Sequence, residues 1–331
     1  MAGMIWNVNT RGGYMWTANL SRKLRTAMQP MQRFRALCDA VDGTEKKLHT
    51  GQTFSWNHYG NVAQQGRRLT ESTPMPETNS TIAQSSLTVY EAGNSVPYTG
   101  LLQDLAEHEV ESIINQSLVD DARKYMDIEA FLQFKTTLVR VAPTSGTSTT
   151  AVTVTTNSAT SVTNDLAFGM GHAKAISDVM RERNIPPFVD DDYVALSHPT
   201  TFRNFDNELE DVNQYTENGL NKITRGEIGR YAGIRFVTQN HIPKGGANDS
   251  TTYDAWTATA DAWNNGKSSW IFFIGKDTAA EAILIPEEIR GKLPGDYGRD
   301  KGIAWYYLGG FGIIYAVDAV QARILMWDSA A

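Results

Sequence analysis

The chain has one cysteine, Cys38, in 331 residues. No disulfide can form within it, so the fold must be held by its core, and synthesis in a reducing cytoplasm is expected. The first twenty residues contain Trp6, Asn7, Asn9, Arg11 and Asn19 but no compact apolar run. They do not read as a signal peptide. No stretch approaches the roughly 18 uninterrupted apolar residues of a membrane span. The sequence therefore predicts a soluble protein with no membrane partner and no export by an N-terminal signal.

Enzyme motifs are also scarce. His108-Glu109 begins a metalloprotease-like pattern, but Ser112 stands where the second histidine is needed, so a zinc ligand is missing. Asp190-Asp191-Asp192 could hold a cation, although an acidic loop cluster is more often solvated or capping. Ser197-His198 places a hydroxyl beside an imidazole. Neighbours on a strand point to opposite faces, which makes them a poor nucleophile–base pair. Gly226, Gly229 and Gly233 fit no dinucleotide or phosphate-loop spacing, and lone Cys38 has no thiol partner. No catalytic residue, cofactor or metal is expected.

Apolar material is plentiful. Hydrophobic residues make up 41% and charged residues 20%, which is enough for a sizeable core and argues against wholesale disorder. Eight Trp and thirteen Tyr suit extensive buried or interface surface. Charge is uneven. Residues 1–47 carry eight Lys/Arg and three acids, a local +5 within a chain of −7, leaving −12 for the remainder. A basic arm on an acidic body points to an acidic partner, either nucleic acid or a neighbouring copy. The alternative is a merely solvated basic segment.

The arm itself, residues 1–50, mixes Met4, Trp6, Met15 and Trp16 with basic residues and shows no period. It has no obvious fold of its own and is expected to dock on the body or on a neighbour. Residues 52–59 and 86–92 alternate as strands do. The polar stretch 60–85 between them, with Arg67, Arg68 and Glu71, forms the tip of a long hairpin that would need support from another subunit. Apolar residues from Leu102 to Ala122 at three- and four-residue spacing predict one helix about 35 Å long. Glu107, Glu109 and Glu111 fall in its first half. Residues 136–164 read as short Thr/Ser-rich strands. A second helix is expected from Asn164-Asp165 to just before Pro186-Pro187. Short elements follow at 194–196, 200–211 and 233–238. The end is β-rich, with strands expected at 270–274, 282–285, 303–308, 311–317 and 323–327. Isolated helices mixed with antiparallel strands give an α+β class.

The order of arm, long hairpin, long helix, mixed body and terminal strands resembles the Hong Kong 97-type fold of tailed-bacteriophage major capsid proteins, in particular the phage N-four-like family. The resemblance rests on GQTFSWNHYG at 51–60, LTESTPMP at 69–76, YEAGN at 90–94, DDDYVALSHPTTFRNF at 190–205, GEIGRYAGIRFV at 226–237 and DYGRDKGIAWYYLGG at 296–310. It implies an N-terminal arm at 1–50 and an extended loop at 51–100. It implies a peripheral domain with a spine helix at 101–164 and 290–331, and an axial domain at 165–289. It further implies self-assembly through hexamers and pentamers into an icosahedral shell around double-stranded DNA, built in the host cytoplasm. Partners would be a separate scaffold protein, a portal protein, a possible decoration protein and DNA without sequence preference. Nothing matches a residue pair for covalent cross-linking.

The expected assembly residues are Trp6 and Trp16 in the arm and Arg67, Arg68 and Glu71 at the loop tip. The arm would clasp a neighbour through Met4, Trp6, Trp16 and Phe34 or lie against packaged DNA, and its large apolar side chains favour the clasp. An unrecognised hydrolase and a β-rich adhesin or surface protein are the competing readings.

Overall fold

The computed structural model describes residues 33–42, 52–60, 64–71, 73–80, 82–157, 166–189, 191–213, 227–239, 242 and 268–330. The strands are β1 (Cys38–Asp42), β2 (Thr53–Tyr59), β3 (Ile82–Thr88), β4 (Tyr90–Thr99), β5 (Val139–Pro143), β6 (Val152–Thr155), β7 (Tyr193–Ser197), β8 (Glu227–Tyr231), β9 (Ile234–Thr238), β10 (Ser268–Ile274), β11 (Ala279–Gly291), β12 (Asp300–Ile313) and β13 (Ile324–Ala330). The helices are α1 (Gly100–Leu105), α2 (Val110–Lys135), α3 (Met170–Glu182) and α4 (Arg203–Asn213). The α+β class holds.

The strands form three sheets: β1-β11-β12-β4, β6-β5-β13-β10-β7-β9-β8, and the ribbon β2-β3. The seven-stranded sheet has both faces covered. Along β10, Trp270, Phe272 and Ile274 join one core with the apolar stripe of α2, and along β13 Ile324 and Met326 do the same. The alternate residues Ile271, Phe273, Leu325 and Trp327 join a second core with Phe168, Ile176, Phe202 and Phe205. Period-two alternation with both faces apolar yields the uninterrupted run Trp270–Ile274. The first core continues onto the four-stranded sheet through Trp305, Tyr307, Phe311 and Ile313. The seven-stranded sheet thus draws strands both from 139–155 and 324–330 and from 193–274.

Several sequence expectations shift. The single helix from Leu102 is two helices, because Ala106 and Glu109 are extended. Glu107 and Glu109 precede α2 and Glu111 sits in its first turn. There the acids favour the helix dipole, whereas at the end of α1 they would oppose it. Val110, Ile114, Leu118, Ala122, Met126, Ala130 and Phe134 then form a buried stripe at four-residue spacing. The second helix starts at Met170, and Asn164 and Asp165 lie outside the described residues. Its cap is His172, whose Nδ1 accepts from the Gly169 N–H at 3.1 Å, together with Glu208, which accepts from the Met170 N–H at 2.6 Å. The stretch 86–92 is split between β3 and β4, with the break at Val89.

The strands expected at 303–308 and 311–317 are one strand, β12. Gly309-Gly310 is a crossing point and not a turn. A Cβ on Gly310 would lie 2.5 Å from the Thr88 carbonyl oxygen, and one on Gly312 would lie 2.7 Å from Leu87 Cβ. The glycines let the ribbon pass over the sheet at backbone distance.

Candidate assembly surfaces

The ribbon is anchored along one face of its paired length, and only its tip extends beyond that contact. Its register runs from Thr53↔Thr88 to Tyr59↔Ile82. Leu87 and Val89, with Phe54 and Trp56, pack on Ala282, Leu284 and Leu308 of the four-stranded sheet. Farther out, the buried His58 ring meets Tyr315 edge-on at 5.1 Å. Beyond Tyr59 the described residues of 64–80 have no helix or strand and are almost all exposed. Leu69 and Met75 are among the large apolar side chains in solvent. Two-stranded ribbons are marginal alone, and this one carries a tip whose described residues are almost all exposed.

Of the sequence candidates, Arg67, Arg68 and Glu71 all lie in this tip and are exposed. No ion pair joins Arg67 or Arg68 to Glu71 among the described residues. Trp6 and Trp16 lie outside the described residues, as does Met4. Phe34 corrects the expectation of a clasp on a neighbour. It is fully buried in its own chain, with ring centroids 5.3 Å from Phe131, 5.5 Å from Phe134 and 5.9 Å from Phe272. An aromatic ring that fills a pocket among three others is unavailable to another subunit.

Arg35, beside it, was counted only as arm charge in the sequence. Its guanidinium forks across Glu281 (2.9 and 3.1 Å) and Glu287 (2.7 and 3.1 Å), and its backbone N–H donates to Asp127 at 3.1 Å. Burial disfavours the Arg35 cation, yet the bonds to Glu287 and Glu281 outweigh it and hold the proton more tightly than usual. The same pairing, against some burial, lowers Glu287. Burial and the nearby carboxylates push the Cys38 thiol well above its ordinary value, which leaves it unreactive.

A second feature missed in the sequence ties α2 to β4. Tyr98 donates to Glu111 (2.8 Å), Asn94 to Asp121 (2.9 Å) and Tyr90 to Glu129 (3.3 Å). Eight residues of strand from Tyr90 to Tyr98 span about 27 Å, and eighteen of helix from Glu111 to Glu129 span about 27 Å. The donors share one strand face, so the helix lies antiparallel to the strand in matched register. Burial raises Glu129 despite the bonds from Tyr90 and Tyr125.

The weak enzyme-like features take other roles. Ser197 is buried and donates to the Trp270 carbonyl at 2.6 Å, while His198 Nδ1 meets Thr200 Oγ1 at 2.7 Å. Asp192 is neither solvated nor a cap. It is fully buried between Arg230 (2.7 Å) and Arg235 (2.9 Å). Those two arginines stand opposite each other in the β8–β9 pairing, where like charges repel unless an anion lies between them. Asp190 lies outside the described residues. Among the described residues no group of three or more His, Cys, Asp and Glu is placed to hold a metal, and no helix is long and apolar enough to cross a membrane.

No protein-family profile and no curated protein matches the sequence. Solved structures do. A chain of the capsid of cyanophage P-SCSP1u superposes with a TM-score of 0.66 at 13% identity, covering 99% of this chain and 97% of that one. The capsid of Ralstonia phage GP4 gives 0.64 at 12% identity, covering 95% and 94%. The capsid asymmetric unit of cyanophage Pam1 gives 0.61 at 15%, covering 95% and 97%. Similarity of fold over almost the full length, with so little identity, means that the chain has the Hong Kong 97-type fold found in phage capsids.

Proposed function

We propose that this chain is the major capsid protein of a tailed bacteriophage. It acts without catalysis or cofactor and assembles with copies of itself, through hexamers and pentamers, into an icosahedral shell around double-stranded DNA. The observation that carries this reading is the end-to-end match to capsid chains, ribbon included. A ribbon anchored along one face, with an exposed tip, gains support by lying on a neighbour. Such head-to-tail contacts close rings, and rings tile a closed surface.

In this reading residues 1–50 are the arm and 51–100 the extended loop. The peripheral domain is the four-stranded sheet with α1 and the spine helix α2. The axial domain is the seven-stranded sheet with α3 and α4. This moves β5, β6 and β13, assigned by sequence to the peripheral domain, across to the axial one, and β11, assigned by sequence mostly to the axial domain, across to the peripheral one, while β1 of the arm and β4 of the extended loop complete the four-stranded sheet. A separate scaffold, a portal protein and possibly a decoration protein complete the assembly, which takes place in the host cytoplasm. DNA is enclosed without sequence preference. The arm clasps a neighbour through Trp6 and Trp16 rather than lining the DNA.

Negative-stain microscopy and light scattering test the reading, with the chain produced alone and with its candidate scaffold. Rings or closed shells are expected. A compact monomer under every condition sinks it. Replacing 61–80 with a short glycine-containing turn keeps the Tyr59↔Ile82 pairing. It should leave the melting temperature unchanged and abolish shells. Normal particles from that variant would remove the tip from assembly.

A further inference from the structure

Segment 33–42 touches three parts of the fold: α2, the seven-stranded sheet and the four-stranded sheet. Phe34 is inserted between Phe131 and Phe134 of α2 and Phe272 of the seven-stranded sheet. Arg35 bonds Glu281 and Glu287 on β11 of the four-stranded sheet. β1 then pairs in parallel with the edge of β11, from Cys38↔Ala279 to Asp42↔Ile283.

The polar contacts join into one network. Asp127 of α2 accepts from the Arg35 N–H at 3.1 Å and from Gln239 Nε2 at 2.8 Å. Gln239 directly follows β9, and its own N–H donates to the Ser197 carbonyl at the end of β7 at 2.8 Å. Glu281 accepts from Arg35 and, at 3.1 Å, from Tyr307 of β12. Asp127 is 1% exposed and Glu281 3% exposed. After burial, both carboxylates help to raise the Cys38 thiol. Arg35 reaches both buried carboxylates, Glu281 through its guanidinium and Asp127 through its backbone N–H, and a buried charge is costly unless it is paired and hydrogen-bonded. On one side the junction is open. A cleft of about 480 Å³ is lined by Arg35, Cys38, Arg123, Asp127, Glu281 and Ile283. The segment is therefore enclosed at Phe34 and held beyond it by specific polar contacts.

We propose that segment 33–42 is a removable pin that fixes the seven-stranded sheet against the four-stranded sheet. Arg35 is the positioning residue. Because the pin continues directly into the chain before Arg33, a partner that draws on that chain acts on the junction of the two sheets. Binding at the N-terminal end is thereby coupled to the relative placement of the sheets. The proposal concerns the single chain and stands whether or not the chain forms shells.

Amide hydrogen exchange on the full-length chain in its unassembled state tests it, with Arg35→Lys and Asp127→Asn as variants. Lysine keeps the charge and loses the two-carboxylate fork. Asparagine keeps the shape and removes the charge on α2. A pin predicts that Arg35→Lys speeds exchange in peptides covering 279–287, where the fork is lost, and also in 194–197 and 234–239 across the junction. The expected change is roughly tenfold or more, as befits loss of a charge-assisted hydrogen bond. Asp127→Asn should act on the same peptides across the junction, while peptides from α3 stay unchanged. Faster exchange confined to 33–42, with or without 279–287, overturns the proposal, because the segment would then be a passive edge strand. Uniformly faster exchange overturns it too, as does failure of both variants to fold. The network would in that case prop the whole core rather than one junction.

Discussion

Strands β10 and β2 are both seven residues long, yet they sit at opposite extremes of the molecule. β10 is paired on both edges, to β13 and β7, and buries side chains in a separate core on each face. Among the described residues β2 has one partner, β3, and one face partly covered. The residues state the difference: Trp-Ile-Phe-Phe-Ile gives apolar side chains to both faces, while Thr-Phe-Ser-Trp-Asn-His-Tyr gives them to one. Strand length therefore says little about stability here, and the number of covered faces says much. The rigid sheet holds the fold, and the ribbon remains available for contact outside the chain.

The sharpest way to break this comparison is to remove one tryptophan from each region. Trp327 is fully buried, with Phe168 at 5.4 Å and His172 at 4.8 Å. Trp327→Ala should cost about 3–5 kcal/mol, enough to unfold much of the protein at ordinary temperature. Trp56 is only partly buried at the ribbon root. Trp56→Ala should cost well under half as much, since the hydrophobic gain scales with the area withdrawn from water. Urea unfolding of the two variants checks this. Equal losses would mean that the ribbon is part of the main core.

The same contrast explains what was legible in the sequence. Local periodicity found both β10 and β2, the helix stripe of α2 and the polar tip, because each depends on neighbours along the chain. It failed where contact across the fold decides. Gly309-Gly310 looks like punctuation until the ribbon is seen crossing there. Phe34 and Arg35 look like arm residues because the pocket and carboxylates that hold them lie 92 to 252 positions away. The carboxylates along α2 look like a solvated face, and only the matched lengths of α2 and β4 turn them into partners of Tyr90, Asn94 and Tyr98. Of the five residues expected to act in assembly, three are in the exposed tip and two lie outside the described residues, so the site itself was placed by composition rather than by contact.

A smaller effect separates two carboxylates by pH. Glu287 is lowered by Arg35, so its contribution to stability is present above the ordinary glutamate range near 4.3. That contribution is lost as pH falls through the lowered value. Glu129 is raised by burial, so the sign reverses. Its contribution is full below the ordinary range and is lost as pH rises through the raised value. Melting temperatures between pH 3 and pH 8 should therefore show Glu287→Gln flattening the acid side of the profile. Glu129→Gln should flatten the side above the ordinary range. Parallel profiles for the two variants would contradict the opposed environments.

The smallest expected change lies at the tip. Arg67 and Arg68 are exposed, and reversing both to glutamate removes no contact within the described part of the chain. The melting temperature of the unassembled subunit should not move. In the proposed shell assembly should be affected, because there the tip would meet a neighbour and the chain outside the basic arm is acidic. Each exposed ion pair contributes only about 0–1 kcal/mol, but every copy in a shell repeats it, so a small term multiplies into a shifted threshold concentration. Salt distinguishes the cause. Exposed pairs weaken once the Debye length falls below their separation, about 10 Å at 0.1 M salt and about 3 Å at 1 M. The double variant should therefore assemble poorly at low salt and approach the wild type at high salt, as followed by light scattering across a salt series. A deficit of equal size at every salt concentration would assign the contact to packing. Leu69 and Met75, the exposed apolar neighbours in the same tip, would then be the residues to truncate.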